Sequence, residues 1–327
     1  MAGRLRALDK RAAGRSGSAA GTFIITLLLV VAVGVFAYSG WRLFHYYMAY
    51  KAGTDEYSEL EEEFMKPEPG FGTQDPGTGA GAETRSDTGT EKAAEASAPD
   101  DLTDIVPLES PTARTSILDG AHRESTVENG KQEELPKLKN PVDFAELQEI
   151  NPEVIGWIRV GAVNISYPVT QAKDNEFYLH RTFKKADNFA GCIFENCNNS
   201  PYFTDQNTIL YGHNMKNGSM FGQLKKFSEQ ETLDKNPYFW IFKKDFIYQY
   251  RIFSSSVVSK RGDPYIIRFS KEDFQKFIDK SIETSDIDCG DVTVTTDDRI
   301  VTLSTCTGDD ATRRILQGVL VQVYISA

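Results

Sequence analysis

The chain has 327 residues and a formal net charge of -11. This acidic balance argues against nucleic acid as a partner, because proteins that bind phosphate backbones carry an excess of basic side chains. The 4 cysteines form neither a dense disulfide framework nor a metal-ligand spacing, so the sequence indicates no metal site and no cofactor.

The N-terminal part has the features of a membrane anchor. Residues 1–21 are basic, and residues 22–44 form an apolar segment of about the 20 residues that a bilayer requires. No small-residue cleavage site closes this segment, so we favour an uncleaved transmembrane helix over a signal peptide. Because basic residues stay on the cytoplasmic side, we expect a single-pass protein of the cell membrane, with a cytoplasmic N-terminus and an extracellular C-terminal part.

Residues 45–139 have the composition of a linker. They are rich in Gly, Pro, Ala, Thr and acidic residues. Such a segment cannot bury enough apolar surface to offset the loss of chain entropy on folding. We therefore predict a flexible, acidic extracellular stalk with no functional site. For its acidic run at 59–63 we favour a solvated charged face over a short helix that extends from the membrane.

Residues 140–327 have the pattern of a folded domain. Asp143 is placed to begin a helix, and β-branched runs predict strands over 154–160, 165–169, 246–257 and 300–306. Ser270 is placed to cap an amphipathic helix, whose apolar stripe consists of Phe274, Phe277, Ile278 and Ile282. A series of short strands with few helices predicts a mostly β fold, a closed or half-closed antiparallel-rich barrel with peripheral helices.

Three of the cysteines are interpreted as structural. Cys192 and Cys197 lie on a segment that we expect to be extended, where their Cα atoms would be too far apart for a disulfide. Cys289 is interpreted in the same way.

Cys306 differs from them in its position at the end of a predicted strand. A loop of turn-forming residues follows it, and then Arg313 and Arg314 begin a second apolar strand. A lone cysteine is most often a small buried hydrophobic residue. Cysteine catalysis also needs a histidine that handles protons and a donor for the oxyanion.

One of the four histidines is placed to join Cys306. His45 flanks the membrane segment, His122 lies in the stalk, and His180 has the polar neighbours of a surface residue. His213 remains. It lies just after the strand-like run Thr208–Tyr211, in a placement similar to that of Cys306 at the end of its own strand. A structural histidine is the alternative interpretation when His213 is considered alone.

Together these segments resemble the active site of the sortases, the cysteine transpeptidases of Gram-positive cell surfaces. The resemblance rests on the runs Thr302–Cys306 and Tyr211–Asn214 and on the arginine before the last apolar strand, and it covers roughly residues 140–327. The form Thr-Leu-Ser-Thr-Cys and the late helix favour class B. The resemblance also implies the barrel fold.

The resemblance implies a role for each of these residues. Cys306 would attack the threonine carbonyl of a sorting peptide, His213 would protonate the leaving amine, and Arg314 would hold the substrate or the oxyanion. We prefer Arg314 to Arg313 because Arg314 directly precedes the apolar run, but a short loop after Cys306 leaves Arg313 as an alternative. Four residues are carried over as groove residues: Asn175, Leu179, Tyr211 and Ser304. A turn asparagine and a core leucine are the other interpretations of the first two.

The implied function is cleavage of a C-terminal sorting motif of the Asn-Pro-x-Thr-Asn/Gly type after its threonine. The thioester would be resolved by an amine of the cell-wall precursor or a pilin lysine. Partners would then be surface proteins with a sorting signal, and membrane lipid around the N-terminal helix. A purely hydrolytic cysteine peptidase and a non-catalytic anchored scaffold are the alternatives that remain open.

Overall fold

The computed structural model describes residues 19–66 and 135–327. The chain divides into two compact units between Lys51 and Ala52. A long helix, α1 (Ala19–Phe64), begins in the first unit and ends in the second. The predicted basic tail lies outside the described residues, apart from its last three positions.

The first unit consists of the apolar part of α1. Large hydrophobic side chains between Phe23 and Met48 are exposed, among them Phe36 and Leu43. By length and composition this helix can cross a membrane.

In the second unit, the last part of α1 packs against the folded domain. Four side chains within residues 52–66 are buried: Tyr57, Leu60 and Phe64 in α1, and Met65 directly after it. The structure thus differs from the predicted linker, because residues 45–64 are helical and Lys137–Leu138 form a short strand, β1. The hydrophobic positions of the 52–66 stretch lie among many acidic residues, which is why composition alone indicated a solvated segment. The linker residues 67–134 lie outside the described part.

The folded domain is a β-barrel. Its strands are β2 (Val154–Val160), β3 (Ile165–Thr170), β4 (Ile193–Glu195), β5 (Asn207–Tyr211), β6 (Tyr238–Phe242), β7 (Phe246–Ser259), β8 (Ile300–Cys306) and β9 (Thr312–Ser326). They follow the order β9-β7-β6-β2-β3-β4-β5-β8, and pairing of β8 with β9 closes the ring, while β1 pairs with the end of β9. The predicted closed, mostly β barrel is confirmed.

Burial inside the barrel explains why the sequences of its strands are largely apolar. Every residue of β5 and β8 is buried, and Trp157 on β2 is completely buried, as expected for a core residue. Strands enclosed on both faces show continuous apolar runs rather than alternation. The sequence signal was therefore strongest for the two strands that approach the site.

Helices cover the outside of the barrel. They are α2 (Phe144–Ile150), α3 (Gln230–Lys235) and α4 (Lys271–Glu283). The predicted caps are confirmed, since Asp143 accepts hydrogen bonds at the start of α2 and Ser270 accepts one from the Asp273 amide in α4. The predicted apolar stripe of α4 was wrong at one position. Phe274, Phe277 and Ile278 are buried, but the side chain of Ile282 is 47% exposed.

The four cysteines are all free thiols. Cys192 directly precedes β4, while Cys197 follows it two residues after the strand ends. Burial raises the pKa of the Cys192 thiol to about 12, so it is protonated at neutral pH. Its environment is that of a packed structural residue.

Candidate active site

The hairpin of β8 and β9 places Cys306 beside an arginine. Cys306 is the last residue of β8 and pairs directly with Arg313 on β9. Directly paired residues in an antiparallel sheet project from the same face. Both side chains are buried, with exposed fractions of 2% for Cys306 and 0% for Arg313. A thiol and a guanidinium therefore share one face at the end of the hairpin.

Arg314 projects from the other face of β9. It pairs with Thr305, and its Nη1 donates to the Asp286 carboxylate at 2.5 Å and to Ser255 Oγ at 3.3 Å. The two candidate arginines thus lie on opposite faces of β9, and Arg313 is the one that shares its face with Cys306. The register of the hairpin decides which of the two adjacent arginines faces Cys306. A shift of one residue in a strand exchanges the two faces.

His213 is held next to Cys306 by the parallel pairing of β5 with β8. Tyr211 pairs with Ser304, and the Gly212 amide donates to the Ser304 carbonyl at 3.2 Å. His213 and Cys306 each follow these partners by two residues, so the parallel register brings them to the same end and the same face. A glycine is required at 212, because a Cβ there would collide with Ile193 and Phe221.

The imidazole of His213 has a fixed orientation. Its Nε2 lies 2.9 Å from the Leu179 carbonyl oxygen, and the side chain is 5% exposed. A carbonyl oxygen can only accept, so Nε2 carries the proton of this hydrogen bond. Nδ1 is then the ring nitrogen through which His213 can exchange a proton with a reacting group.

Tyr265 is a residue of the site that the sequence did not reveal. It lies in a short 3₁₀ turn between β7 and α4, and its hydroxyl is 2.9 Å from Ser304 Oγ. Burial raises its pKa to about 12, and the charges of Arg313 and Cys306 also act on it. Its ring stacks on Tyr211 with centroids 6.3 Å apart. Tyr265 lies some forty residues before Cys306 in the sequence, and no local sequence pattern indicates that the two residues share a site.

The four predicted groove residues have different environments. Tyr211 and Ser304 are buried behind Cys306, with exposed fractions of 1% and 0%. Leu179 is completely buried and contributes its carbonyl to His213. Asn175 is partly buried, and its Oδ1 accepts a hydrogen bond from the Cys197 amide at 2.8 Å.

The other histidines lie elsewhere. His180 is exposed, as expected, although its ring centroid is 6.4 Å from that of His213. His45 lies in α1, and His122 is outside the described residues. Within residues 19–66 and 135–327, no group of three His, Cys, Asp or Glu side chains is arranged to hold a metal ion.

Comparison with known proteins identifies the family. The family model described as "Sortase domain" matches residues 158–321. Sortase B of Listeria monocytogenes is 36% identical over 185 residues, which cover 55% of this chain and 74% of the relative. Sortase B of Staphylococcus aureus is 34% identical over 176 residues, covering 53% of this chain and 72% of the relative. The chain belongs to the sortase family.

Solved sortase structures agree with this assignment. The Staphylococcus aureus sortase B–substrate complex matches with a TM-score of 0.52 and 31% identity, covering 55% of this sortase and 84% of that chain. A Bacillus anthracis sortase B structure in complex with AAEK1 matches with a TM-score of 0.51 and 36% identity, covering 58% and 88%. The likeness is to class B sortases, as the sequence predicted.

Membership in the family decides between the broad alternatives. This sortase is a cysteine transpeptidase of cell-wall sorting and a cell-surface enzyme. The interpretation of the domain as a non-catalytic scaffold is therefore not supported.

Proposed function

We propose that this sortase is membrane-anchored, cleaves a C-terminal sorting motif after its threonine through a thioester on Cys306, and transfers the acyl group to an amine. The observation that carries the proposal is the direct pairing of Cys306 with Arg313, at the end of the barrel where His213 follows β5. A nucleophile, a proton-transfer group and a cation are the parts that acyl transfer by cysteine requires.

The first half of the reaction forms the thioester. The Cys306 thiolate attacks the threonine carbonyl carbon, and the bond to the nitrogen of the next residue breaks. The protonated His213 gives its proton to that nitrogen, so the leaving group departs as a neutral amine. In the second half, an acceptor amine attacks the thioester and loses a proton to the now neutral His213, and Cys306 leaves as the thiolate.

We assign the cationic role to Arg313 rather than to Arg314. Arg313 faces Cys306 across the hairpin, and two of its neighbours, the carbonyls of Asp310 and Thr312, accept from its Nη1 at 3.2 and 2.8 Å. These bonds hold the guanidinium in place before a substrate arrives. A fixed cation that needs no reorganisation stabilises a developing oxyanion most effectively. Arg314 is engaged with Asp286 on the other face.

The substrate is proposed from the relatives. One matching Staphylococcus aureus structure is a sortase B–substrate complex, and another is sortase B complexed with Gly3, at 33% identity and a TM-score of 0.52. For this sortase we propose surface proteins with an Asn-Pro-x-Thr-Asn/Gly-like signal as substrates. Its acceptor would be an amine of the cell-wall precursor or a pilin lysine. We propose Asn175, Leu179, Tyr211 and Ser304 as groove residues, together with Tyr265; the last four are buried and would form the floor beneath the bound peptide.

Membrane attachment through α1 is the remaining part of the proposal. The apolar helix has the length of a membrane span, and the basic residues before it favour a cytoplasmic N-terminus. Lipid would then surround the first unit, and the barrel would lie outside the cell. This arrangement places the thiol on the side of the membrane where cell-wall precursors are assembled into the wall.

The proposal is tested with the full chain in detergent micelles. Quenched peptides with Asn-Pro-x-Thr-Asn, Asn-Pro-x-Thr-Gly or Leu-Pro-x-Thr-Gly motifs are incubated with and without an amine acceptor, beside the Cys306→Ala variant. We expect cleavage after threonine that depends on Cys306 and an amine-linked product when the acceptor is present. Cleavage that yields only the free acid at every acceptor concentration would instead identify a hydrolytic peptidase.

A further inference from the structure

Two backbone segments hold His213 in place. Residues 178–191 supply the Leu179 carbonyl that accepts from Nε2. The segment after the histidine turns back so that the Phe221 amide donates to the His213 carbonyl at 3.0 Å, and Asn214 forms a β-bridge with Met220. The position of the imidazole therefore depends on both segments.

One side chain from outside the barrel contacts the first of these segments. Tyr57 lies in residues 52–66, the end of α1 and the two residues after it, which pack on the barrel and which we call the docked segment. Its hydroxyl donates to the Gly191 carbonyl at 2.6 Å and accepts from the Phe183 amide at 3.3 Å. Both bonds are buried, and the Tyr57 side chain is 5% exposed. A hydroxyl thus ties together two points of the segment that carries Leu179.

The connection from Gly191 to Leu179 is tight. Gly191 has a φ of +60°, and a Cβ built on it would lie 2.6 Å from the Leu179 carbonyl oxygen. A backbone shift at 191 is therefore transmitted to the oxygen that accepts from His213, because the close packing leaves no free space between them. The Glu56 carboxylate adds a hydrogen bond to the Lys184 amide at 3.0 Å in the same segment.

The same tyrosine also contacts the support of the second segment. Its ring meets the ring of Tyr167 edge to face, with centroids 5.3 Å apart. The Tyr167 hydroxyl accepts from the Met220 amide at 3.0 Å, next to the residue that binds the His213 backbone. Tyr57 is therefore connected to both backbone segments that hold His213, directly to residues 178–191 and through Tyr167 to the segment that contains Met220 and Phe221.

We propose that Tyr57 is a positioning residue for His213, and that the docked segment thereby sets the activity of the barrel. The inference rests on the proposed role of His213 as the group that protonates the leaving amine. Loss of the Tyr57 hydroxyl leaves the Gly191 carbonyl and the Phe183 amide without this buried partner. The Leu179 carbonyl then loses its fixed position, and so does the imidazole. Small displacements of a catalytic group lower rates by large factors.

The test compares two leaving groups on the full chain in detergent micelles. The first substrate is the peptide that the wild type cleaves best, with its scissile amide. The second is the same acyl sequence as the threonine 4-nitrophenyl ester, whose leaving group departs as an anion and needs no proton from His213. The variants are Tyr57→Phe and, for the second support, Tyr167→Phe. Tyr250→Phe is the control, since it removes the hydroxyl of another buried tyrosine, which stacks on Phe239 in the β6–β7 hairpin.

We expect Tyr57→Phe and Tyr167→Phe to lower kcat/KM for the amide about tenfold and to leave the ester within about twofold of the wild type. Tyr250→Phe is expected to change neither substrate by more than about twofold. An equal loss on both substrates, or no loss on the amide in either variant, would overturn the proposal. Wild-type protein with no Cys306-dependent turnover of either substrate would instead refute the proposed function on which it rests.

Discussion

The chemistry of the site depends on which side of β9 each of two adjacent arginines faces. Arg313 shares its face with Cys306, and Arg314 shares its face with Thr305. Their partners differ accordingly, since Arg313 binds backbone carbonyls of its own loop and Arg314 binds Asp286. In the proposed mechanism, Arg313 acts in the reaction, while Arg314 binds Asp286 in the segment after α4.

Single substitutions separate these roles. We predict that Arg313→Ala lowers kcat/KM for the sorting peptide by about 100-fold or more, because a preorganised oxyanion donor is lost. Arg314→Ala keeps most of the activity and instead lowers stability by about 1 kcal/mol, the value of a partly exposed ion pair. Peptide kinetics and melting curves of the two variants measure the two effects. The opposite ranking of activities would return the role to Arg314.

The cysteines are predicted to differ in reactivity. Burial raises the pKa of Cys192 to about 12 and that of Cys289 to about 11, so at neutral pH both are almost entirely thiols. Their alkylation should speed up only as the pH rises toward these values. Cys306 should react at neutral pH and be protected by a sorting peptide.

Mass spectrometry of tryptic peptides after brief iodoacetamide treatment checks this order. The same treatment in denaturant provides the control, in which every cysteine is alkylated. Faster labelling of Cys192 than of Cys306 in the native protein would contradict the assignment.

Helix α4 packs on the strands that lead to the site, at the end far from Cys306. Phe274 and Phe277 pack with Ile300 on β8 and Val319 on β9, and Phe269 stacks on both helix residues. Ile300 begins the strand that ends at Cys306. The aromatic cluster therefore fixes the helix to the two strands that carry the thiol and the arginine.

Truncation of this cluster should cost stability. Phe277→Ala removes a side chain that is 3% exposed, and we predict a loss of about 3–5 kcal/mol from lost burial and the cavity left behind. Gln275→Ala, on the exposed side of the same helix, serves as the control with a change below about 0.5 kcal/mol. Melting curves compare the two. Equal effects of both substitutions would show that α4 is not held by this cluster.

The sequence predicted helices and strands better than the contacts between residues that are distant in sequence. The strand that ends at Cys306 and the Ser270 cap of α4 follow from local patterns, and both are observed. The choice of Arg313 depends on hairpin register, and Tyr265 reaches Ser304 only after the barrel closes. Neither relation is encoded within a short window of sequence. The docked segment was missed for a related reason, because its few buried residues lie among acidic ones.

At the scale of the whole molecule, the barrel encloses a carboxyl group that takes no part in the proposed reaction. Glu195 on β4 is completely buried, and among the described residues neither of its carboxylate oxygens has a hydrogen-bond partner. Burial raises its pKa well above the usual value, although the Lys243 charge acts in the opposite direction. The folded barrel thus keeps the proton of Glu195 at pH values where the unfolded chain releases it.

This difference makes the stability of the barrel pH-dependent. The folded state binds more protons than the unfolded state above the unfolded pKa, so the contribution of Glu195 to stability falls as the pH rises, by up to about 1.4 kcal/mol per pH unit. Glu195→Gln cannot ionise, and we predict that its melting temperature exceeds that of the wild type by a margin that grows between about pH 5 and pH 7. Exposed Glu283→Gln is the control. A constant margin over this range would contradict the assignment.

Direct observation of the acyl-enzyme tests whether Cys306 is the nucleophile. Full-length protein in micelles is mixed with its sorting peptide without an acceptor, quenched in acid during turnover, digested and analysed by mass spectrometry. We predict that the peptide containing Cys306 carries the acyl part of the substrate up to its threonine, that hydroxylamine removes this adduct, and that Cys306→Ala shows none. Turnover without an adduct on Cys306, or with the adduct on another cysteine, would contradict the account.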